Sequence, residues 1–292
     1  MLKKSLLIYL LCAFVPMIGL GVALHHIAST ASLSPAIRTI IGSLLTASAM
    51  FLPMIAVIIS QAANKEPIFG KLDISFKINR WWFIGWLLMP VLALAVLGVT
   101  LLMPGAEFAA DSELMNLTLQ SMPEGIGLVG FVAITLVSGL FAGATINALL
   151  AFGEEIGWRG YLLKIFKGRS FWATALWTGI IWGLWHAPLI LNGHNYPQHP
   201  VAGVFMMVGM CLMLTPMLMY FRLKSGTVIV PAIMHGTFNG VIGLSMLLVT
   251  PADDLLYGGP GLAGIITFFL VDLCLYIYDR FISKENVFSS II

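Results

Sequence analysis

The chain has 292 residues, of which 59% are hydrophobic and 10% charged. Soluble domains carry about 45–50% apolar and about 25% charged residues, so 15 Lys+Arg and 13 Asp+Glu are too few to coat a water-facing surface of this size, and the sequence belongs in a bilayer. A net charge of +2 without a basic stripe argues against nucleic-acid binding. Three scattered cysteines (Cys12, Cys211, Cys274), each inside an apolar run, argue against a disulfide framework or a metal knuckle.

Apolar stretches near the length needed to cross about 30 Å of hydrocarbon recur along the chain. They cover roughly 5–25, 37–62, 81–103, 128–153, 171–191, 201–221, 227–249 and 261–281, which predicts an all-α polytopic membrane protein of about eight transmembrane helices. The first follows Lys3 and Lys4 as a signal peptide would, but its apolar run is too long for a typical h-region and reads as a membrane helix. The cations set the orientation. Lys3, Lys4, Lys65, Lys71, Lys77, Arg80, Arg159, Lys164, Lys167, Arg169, Arg222, Lys224, Arg280 and Lys284 fall on one side, and of 15 Lys+Arg only Arg38 falls on the other. The opposite loops carry Glu107, Asp111, Glu113, Glu124, Asp253 and Asp254. Both termini are therefore expected in the cytoplasm. The chain reads as one integral-membrane domain over 1–292. Spans of unassigned role occupy 1–125, a core carrying the chemistry occupies 126–250, and a last span with its tail occupies 251–292.

Ionisable groups inside a membrane helix are costly and mark functional sites, and three clusters qualify. The first is Gly153-Glu154-Glu155-Ile156-Gly157-Trp158-Arg159-Gly160. In a helix Glu155 and Arg159 stand at i and i+4, the favoured ion-pair spacing, while Glu154 points about 100° away and is left available. The second is Trp182-Gly183-Leu184-Trp185-His186-Ala187-Pro188, where Trp182 walls one side of the His186 ring. The third is His235-Gly236-Thr237-Phe238-Asn239, which puts an imidazole and an amide on one helical face. Each has a plain structural alternative: a charged helix end meeting water, a packed histidine, or a polar pair cementing helices through small neighbours. The three reach a common depth only if the fourth helix continues past the carboxylates to the cations around Lys167. Together they would supply a carboxylate and imidazole to hold and deprotonate a water, and a histidine and amide to bind an oxyanion.

Glu154-Glu155-x-x-x-Arg159, Trp182-x-x-x-His186 and His235-x-x-x-Asn239 resemble the three motifs of the CPBP family, the type II CAAX prenyl proteases and their Abi or bacteriocin-processing relatives. The Lys224-Ser225-Gly226 approach and the Pro231-Ala232 step before His235 also resemble the family's lead-in, and the resemblance covers roughly residues 130–245. It implies an eight-span intramembrane glutamic endopeptidase that cleaves a membrane-associated peptide or protein, prenylated in the better-known branch. It further implies a site open to the cytosol of a prokaryotic cytoplasmic membrane, with no cofactor. By motif position it implies Glu154 as general base, His186 as its partner in water activation, and His235 with Asn239 as the oxyanion-binding pair. Glu155, Arg159 and Trp182 are implied as support. The family often has Phe where this chain has Trp182, a change of pocket shape rather than of chemistry. Two other readings stand beside it. One is a zinc protease with Glu154, His186 and His235 as ligands, though no His-Glu-x-x-His helix is present. The other is a non-catalytic immunity, scaffold or transport protein. Membrane lipid and a peptide or protein are the expected partners.

Overall fold

A computed structural model describes residues 2–30, 32–110, 113–120, 122–251 and 253–292; Asp111 of the acidic loops lies outside them. The protein is an all-α, polytopic membrane protein. In chain order α1 is Leu2–Ser29, α2 Pro35–Ala49, α3 Leu52–Ala63, α4 Arg80–Leu101, α5 Glu113–Gln120 and α6 Leu128–Ala144. Then α7 (Ile146–Glu155) runs through a π-helical segment, Ile156–Tyr161, into α8 (Leu162–Ile165). The remaining helices are α9 Phe171–Trp185, α10 Ala187–Ile190, α11 Pro200–Ser225, α12 Ile229–Val241, α13 Leu244–Leu247 and α14 Leu262–Ile277. Two short strands, β1 (Glu107–Phe108) and β2 (Val249–Thr250), pair antiparallel.

Among the described residues, six helices are long and apolar enough to cross a membrane, and a bent pair makes up to seven. The differences from the expected eight have local causes. The expected span 128–153 is broken at Thr145, where α6 and α7 meet at 54°, and the second half continues to Ile165. That continuation is what the convergence of the three clusters required. The expected span 171–191 is a 15-residue helix closed at His186. Pro188 has no N–H to bond Leu184 and its ring crowds that carbonyl, so the helix restarts as the short α10.

The bundle is organised around α12, which packs against α4, α6, α7 and α11. Its neighbours approach very closely. A Cβ at Gly236 would lie 2.6 Å from the backbone of Asn147 and Ala148, and one at Gly143 would lie 2.2 Å from Thr237 Oγ1. Gly139 and Gly143 on α6 face Gly236 and Gly240 on α12 at four-residue spacing, the small-residue geometry by which membrane helices approach and gain dispersion contacts. Outward faces are apolar: Leu7, Leu11, Val15, Ile18 and Val22 form one exposed stripe on α1, as a lipid-facing helix requires.

The cation-rich end is tied shut. Lys164 pairs with Glu66, Arg222 with Asp73, and Lys224 with Glu285. Beneath these, Tyr9 packs edge-on to Trp158 and against Tyr161, whose hydroxyl is 2.6 Å from Ser60 Oγ. Phe288 of the C-terminal tail wedges between Phe171 and Tyr220.

Because the atoms facing Gly236 are backbone, Gly236→Ala should overpack the α7–α12 crossing and cost about 1–3 kcal/mol. Thermal unfolding in detergent should show a lowered midpoint for Gly236→Ala and an unchanged one for Gly243→Ala, whose added Cβ would meet nothing within 4 Å. Equal midpoints for the two variants would refute the close crossing.

Candidate active site

The two glutamates end α7 where two glycines let it press against its neighbours. A Cβ at Gly153 would lie 2.5 Å from Met50 O, and one at Gly157 would lie 2.4 Å from the Tyr9 hydroxyl. The π-helical segment begins at the next residue after Glu155, a local irregularity that recurs at functional positions. Glu154 and Glu155 are both buried, with different partners. Glu155 Oε1 accepts from Arg159 Nη1 and from His235 Nδ1, both at 2.9 Å. Arg159 also donates to Thr215 Oγ1 at 3.1 Å and lies 4.2 Å over the Trp182 ring, while Arg222 Nε donates to the Arg159 carbonyl at 3.2 Å. The expected Glu155–Arg159 pair is therefore present, and it reaches further than expected, into α12 and α11.

Glu154 stands apart from the Arg159 pair, as the spacing argument had it, but it has partners of its own. Its Oε2 accepts an indole N–H from Trp182 at 2.8 Å and another from Trp158 at 3.2 Å. The first of these also corrects the reading of Trp182. A phenylalanine there has no N–H, so the exchange of Phe for Trp changes the hydrogen bonding of the carboxylate as well as the shape of the pocket. Trp158 stands at i+4 from Glu154, the same spacing that identified Arg159 as the partner of Glu155.

His186 Nδ1 lies 2.9 Å from the Trp182 carbonyl. A carbonyl can only accept, so Nδ1 carries the proton and Nε2 keeps its lone pair in the neutral ring. His235 has the same arrangement, with Nδ1 donating to Glu155. Asn239, one turn beyond His235, is exposed to the cavity and has no protein partner among the described residues.

Glu154, Trp182, His186, His235 and Asn239 line one cavity of about 1110 Å³. The sequence-predicted residues are thus brought together, and Glu155 and Arg159 stand directly behind them. The cavity does not run to the cation-rich end, which the aromatic layer of Tyr9, Trp158 and Tyr161 closes. It runs past His194 to Arg38 and Pro260, at the opposite end of the bundle. The expected opening toward the cation-rich side is therefore corrected. Hydropathy places spans but does not say which end of the bundle is plugged.

His194, which no motif indicated, lies in the loop between α10 and α11 and lines the same cavity. Burial pushes its imidazole down to about 4, with the charge of His186 acting in the same direction and Glu154 opposing it. No bond partner of the His194 side chain is present among the described residues. The zinc alternative fares differently. Among the described residues, the one group of three His, Cys, Asp or Glu side chains with ligand atoms within 4.8 Å of one another is His199, Asp253 and Asp254, outside the cavity. Glu154, His186 and His235 do not form such a group.

A histidine whose folded value lies below its unfolded one binds fewer protons when folded, so stability falls as pH drops through the interval between the two. Between about pH 6.5 and pH 4 the wild type should lose thermal stability faster than His194→Gln. Parallel curves for the two proteins across that window would show that His194 is not buried in neutral form.

Comparisons with known proteins fall on the same residues. The family model described as type II CAAX prenyl endopeptidase Rce1-like matches residues 130–241, the stretch that carries α6 to α12. CAAX prenyl protease 2 of Methanococcus maripaludis is 30% identical over 138 residues, which cover 45% of this chain and 48% of that protein. The match thus spans about half the length of the curated relative. Residues 130–241, which carry the three motifs that converge on one cavity, are thus similar to the type II CAAX prenyl endopeptidases.

Proposed function

We propose that the protein is an intramembrane endopeptidase in which a water held between Glu154 and His186 attacks a peptide bond. The observation that carries this reading is the division of labour between adjacent carboxylates. Glu155 is committed to Arg159 and His235, whereas Glu154, among the described residues, accepts only indole N–H groups and faces the cavity. Its carboxylate is positioned as general base, and the His186 Nε2 lone pair accepts the water's second hydrogen bond. His235 already gives its Nδ1 proton to Glu155, so in this scheme it donates through Nε2 as an imidazolium. That cation and the Asn239 amide bind the oxyanion. The relatives' names point to a membrane-associated peptide or protein as substrate, in the CAAX-type class, and no metal enters any step.

The test is a peptide-cleavage screen in proteoliposomes read by mass spectrometry. Wild type should cleave and Glu154→Gln should not, at equal membrane yield. Asn239→Ala should turn over about 10²–10³ times more slowly, as for loss of one oxyanion donor. Glu155→Gln should instead lose folded protein, since breaking a buried ion pair costs about 3–5 kcal/mol. Turnover that persists in Glu154→Gln, or that chelators abolish, would overturn the mechanism.

By the charge rule, the end of the bundle bearing Arg38 faces away from the cytosol, and the cavity opens there. In a protein with Cys12, Cys211 and Cys274 replaced by Ala, Asn195→Cys should label from outside intact cells with an impermeant thiol reagent. Lys167→Cys should label only after lysis. The reverse pattern would invert the orientation and return the cavity mouth to the cytosol.

A further inference from the structure

Phe76 is 79% exposed and Ile78 67%, in the loop that joins α3 to α4 at the cation-rich end of the bundle. The loop itself is firmly held. Leu72 is fully buried, Asp73 pairs with Arg222, and the Asp73 carbonyl accepts from the Val228 N–H at 3.0 Å. Ser75 N donates to Thr227 Oγ1 at 3.1 Å, and Asn79 Nδ2 donates to the Ser225 carbonyl at 2.9 Å. Both sides of Phe76-Lys77-Ile78 are thus tied to the turn between α11 and α12. The two apolar side chains cannot fold back into the core, and water disfavours leaving them bare.

The charges of the same loop are unbalanced. Lys65, Lys71, Lys77 and Arg80 stand against Glu66 and Asp73, and those two carboxylates are engaged by Lys164 and Arg222 from other elements. No carboxylate pairs with Lys71, Lys77 or Arg80 among the described residues. Arg80 lies 5.2 Å over the ring of Trp81, which with Trp82 opens α4. Tryptophans at the head of a span sit at the level of the lipid headgroups. Ile78 is two residues before Arg80, hence within about 7 Å of it on an extended chain, which is about the depth of the headgroup layer. Beyond Arg80 the exposed face of α4 continues as Phe83, Leu87, Val91 and Leu94. The patch therefore prolongs a lipid-facing surface into the headgroups, which favours a bilayer over a protein as its occupant.

From this juxtaposition we propose that Phe76, Lys77, Ile78 and Arg80 form a binding site for anionic phospholipid. Phe76 and Ile78 enter the bilayer beside the first acyl carbons, and Lys77 and Arg80 hold the phosphate. The site lies at the opposite end from the cavity and is independent of the reaction proposed there. Because the loop is bonded to the turn before α12, a lipid held here also braces the start of the helix that carries His235.

The experiment titrates dioctanoyl phosphatidylglycerol, with dioctanoyl phosphatidylcholine as zwitterionic control, into the full chain in maltoside micelles, read by calorimetry. Phosphatidylglycerol should bind about 25-fold more tightly, about fivefold for each of two cations near the phosphate. Lys77→Gln combined with Arg80→Gln should erase that preference and leave phosphatidylcholine binding unchanged. Phe76→Ser combined with Ile78→Ser should weaken both lipids alike, because an apolar contact is blind to the headgroup. Lys167→Gln combined with Arg169→Gln removes the same charge at the same end and should keep most of the preference. All these side chains are exposed, and equal thermal midpoints without added lipid check that each variant is folded. Equal affinity of the wild type for the two lipids would overturn the proposal. So would equal losses in the two charge variants, which would reduce the effect to the general field of the cation-rich end. Unchanged binding in the Phe76→Ser, Ile78→Ser protein would also overturn it and leave the apolar patch to a protein partner.

Discussion

The arrangement depends on one buried ion pair. Glu155 and Arg159 have no exposed side-chain surface, and each would be expensive to bury alone. Their pairing at i and i+4 is local, but it leaves hydrogen-bonding capacity that only tertiary partners can use. His235 of α12 takes Glu155, Thr215 of α11 takes Arg159, and Arg222 of α11 takes the Arg159 carbonyl. Two later helices, α11 and α12, are thereby fixed in register around the turn where α7 enters the π-helical segment. The glycine crossing at Gly143 and Gly236 allows this, because His235 reaches Glu155 only if α12 and α7 come within backbone contact.

That same pair separates two adjacent carboxylates chemically. In the low-dielectric interior, hydrogen bonds to charged groups are strong and unpaired charges are costly. Glu155 Oε1 meets them with the Arg159 guanidinium and the His235 ring. Glu154, turned about 100° from it, meets them more weakly with two indole N–H groups, which hold an anion without neutralising it. The tryptophans are therefore part of the electrostatics. Trp182 in particular contacts Glu154 through its N–H and Arg159 through its ring face, and so couples the two halves of the cluster.

Local spacing made much of the site legible in the sequence. Glu155 with Arg159, and His235 with Asn239, follow from helical geometry alone, and burial of the carboxylates follows from the apolar runs around them. The donor role of Trp158 was equally within reach by i+4 spacing, but an indole N–H carries no charge and hydropathy scores it as apolar. Contacts between remote segments were not legible. Nothing in the spacing of Glu155 and His235 shows that they share a hydrogen bond, and nothing in the uninterrupted run through Thr145 shows a 54° bend. The break at Pro188 was visible in principle, yet the length of the apolar run obscured it. Segmentation by hydropathy sees thickness, and thickness is insensitive to a kink.

The direction in which the cavity opens has the same origin. The proposed reaction at the depth of Glu154 requires a polar route through a medium that otherwise excludes water. At the cation-rich end that route is blocked by rings packed two or three deep, with Tyr9 and Tyr161 turned into the core. At the other end α2 lies along α1 and turns small, hydroxyl-bearing residues inward, which leaves space that bulky side chains would fill. The placement of large aromatics on α1 and the π-helical segment, against small residues on α2, therefore decides at which end of the bundle the cavity opens. That decision is encoded in side-chain size, a property to which the count of apolar residues in each span is blind.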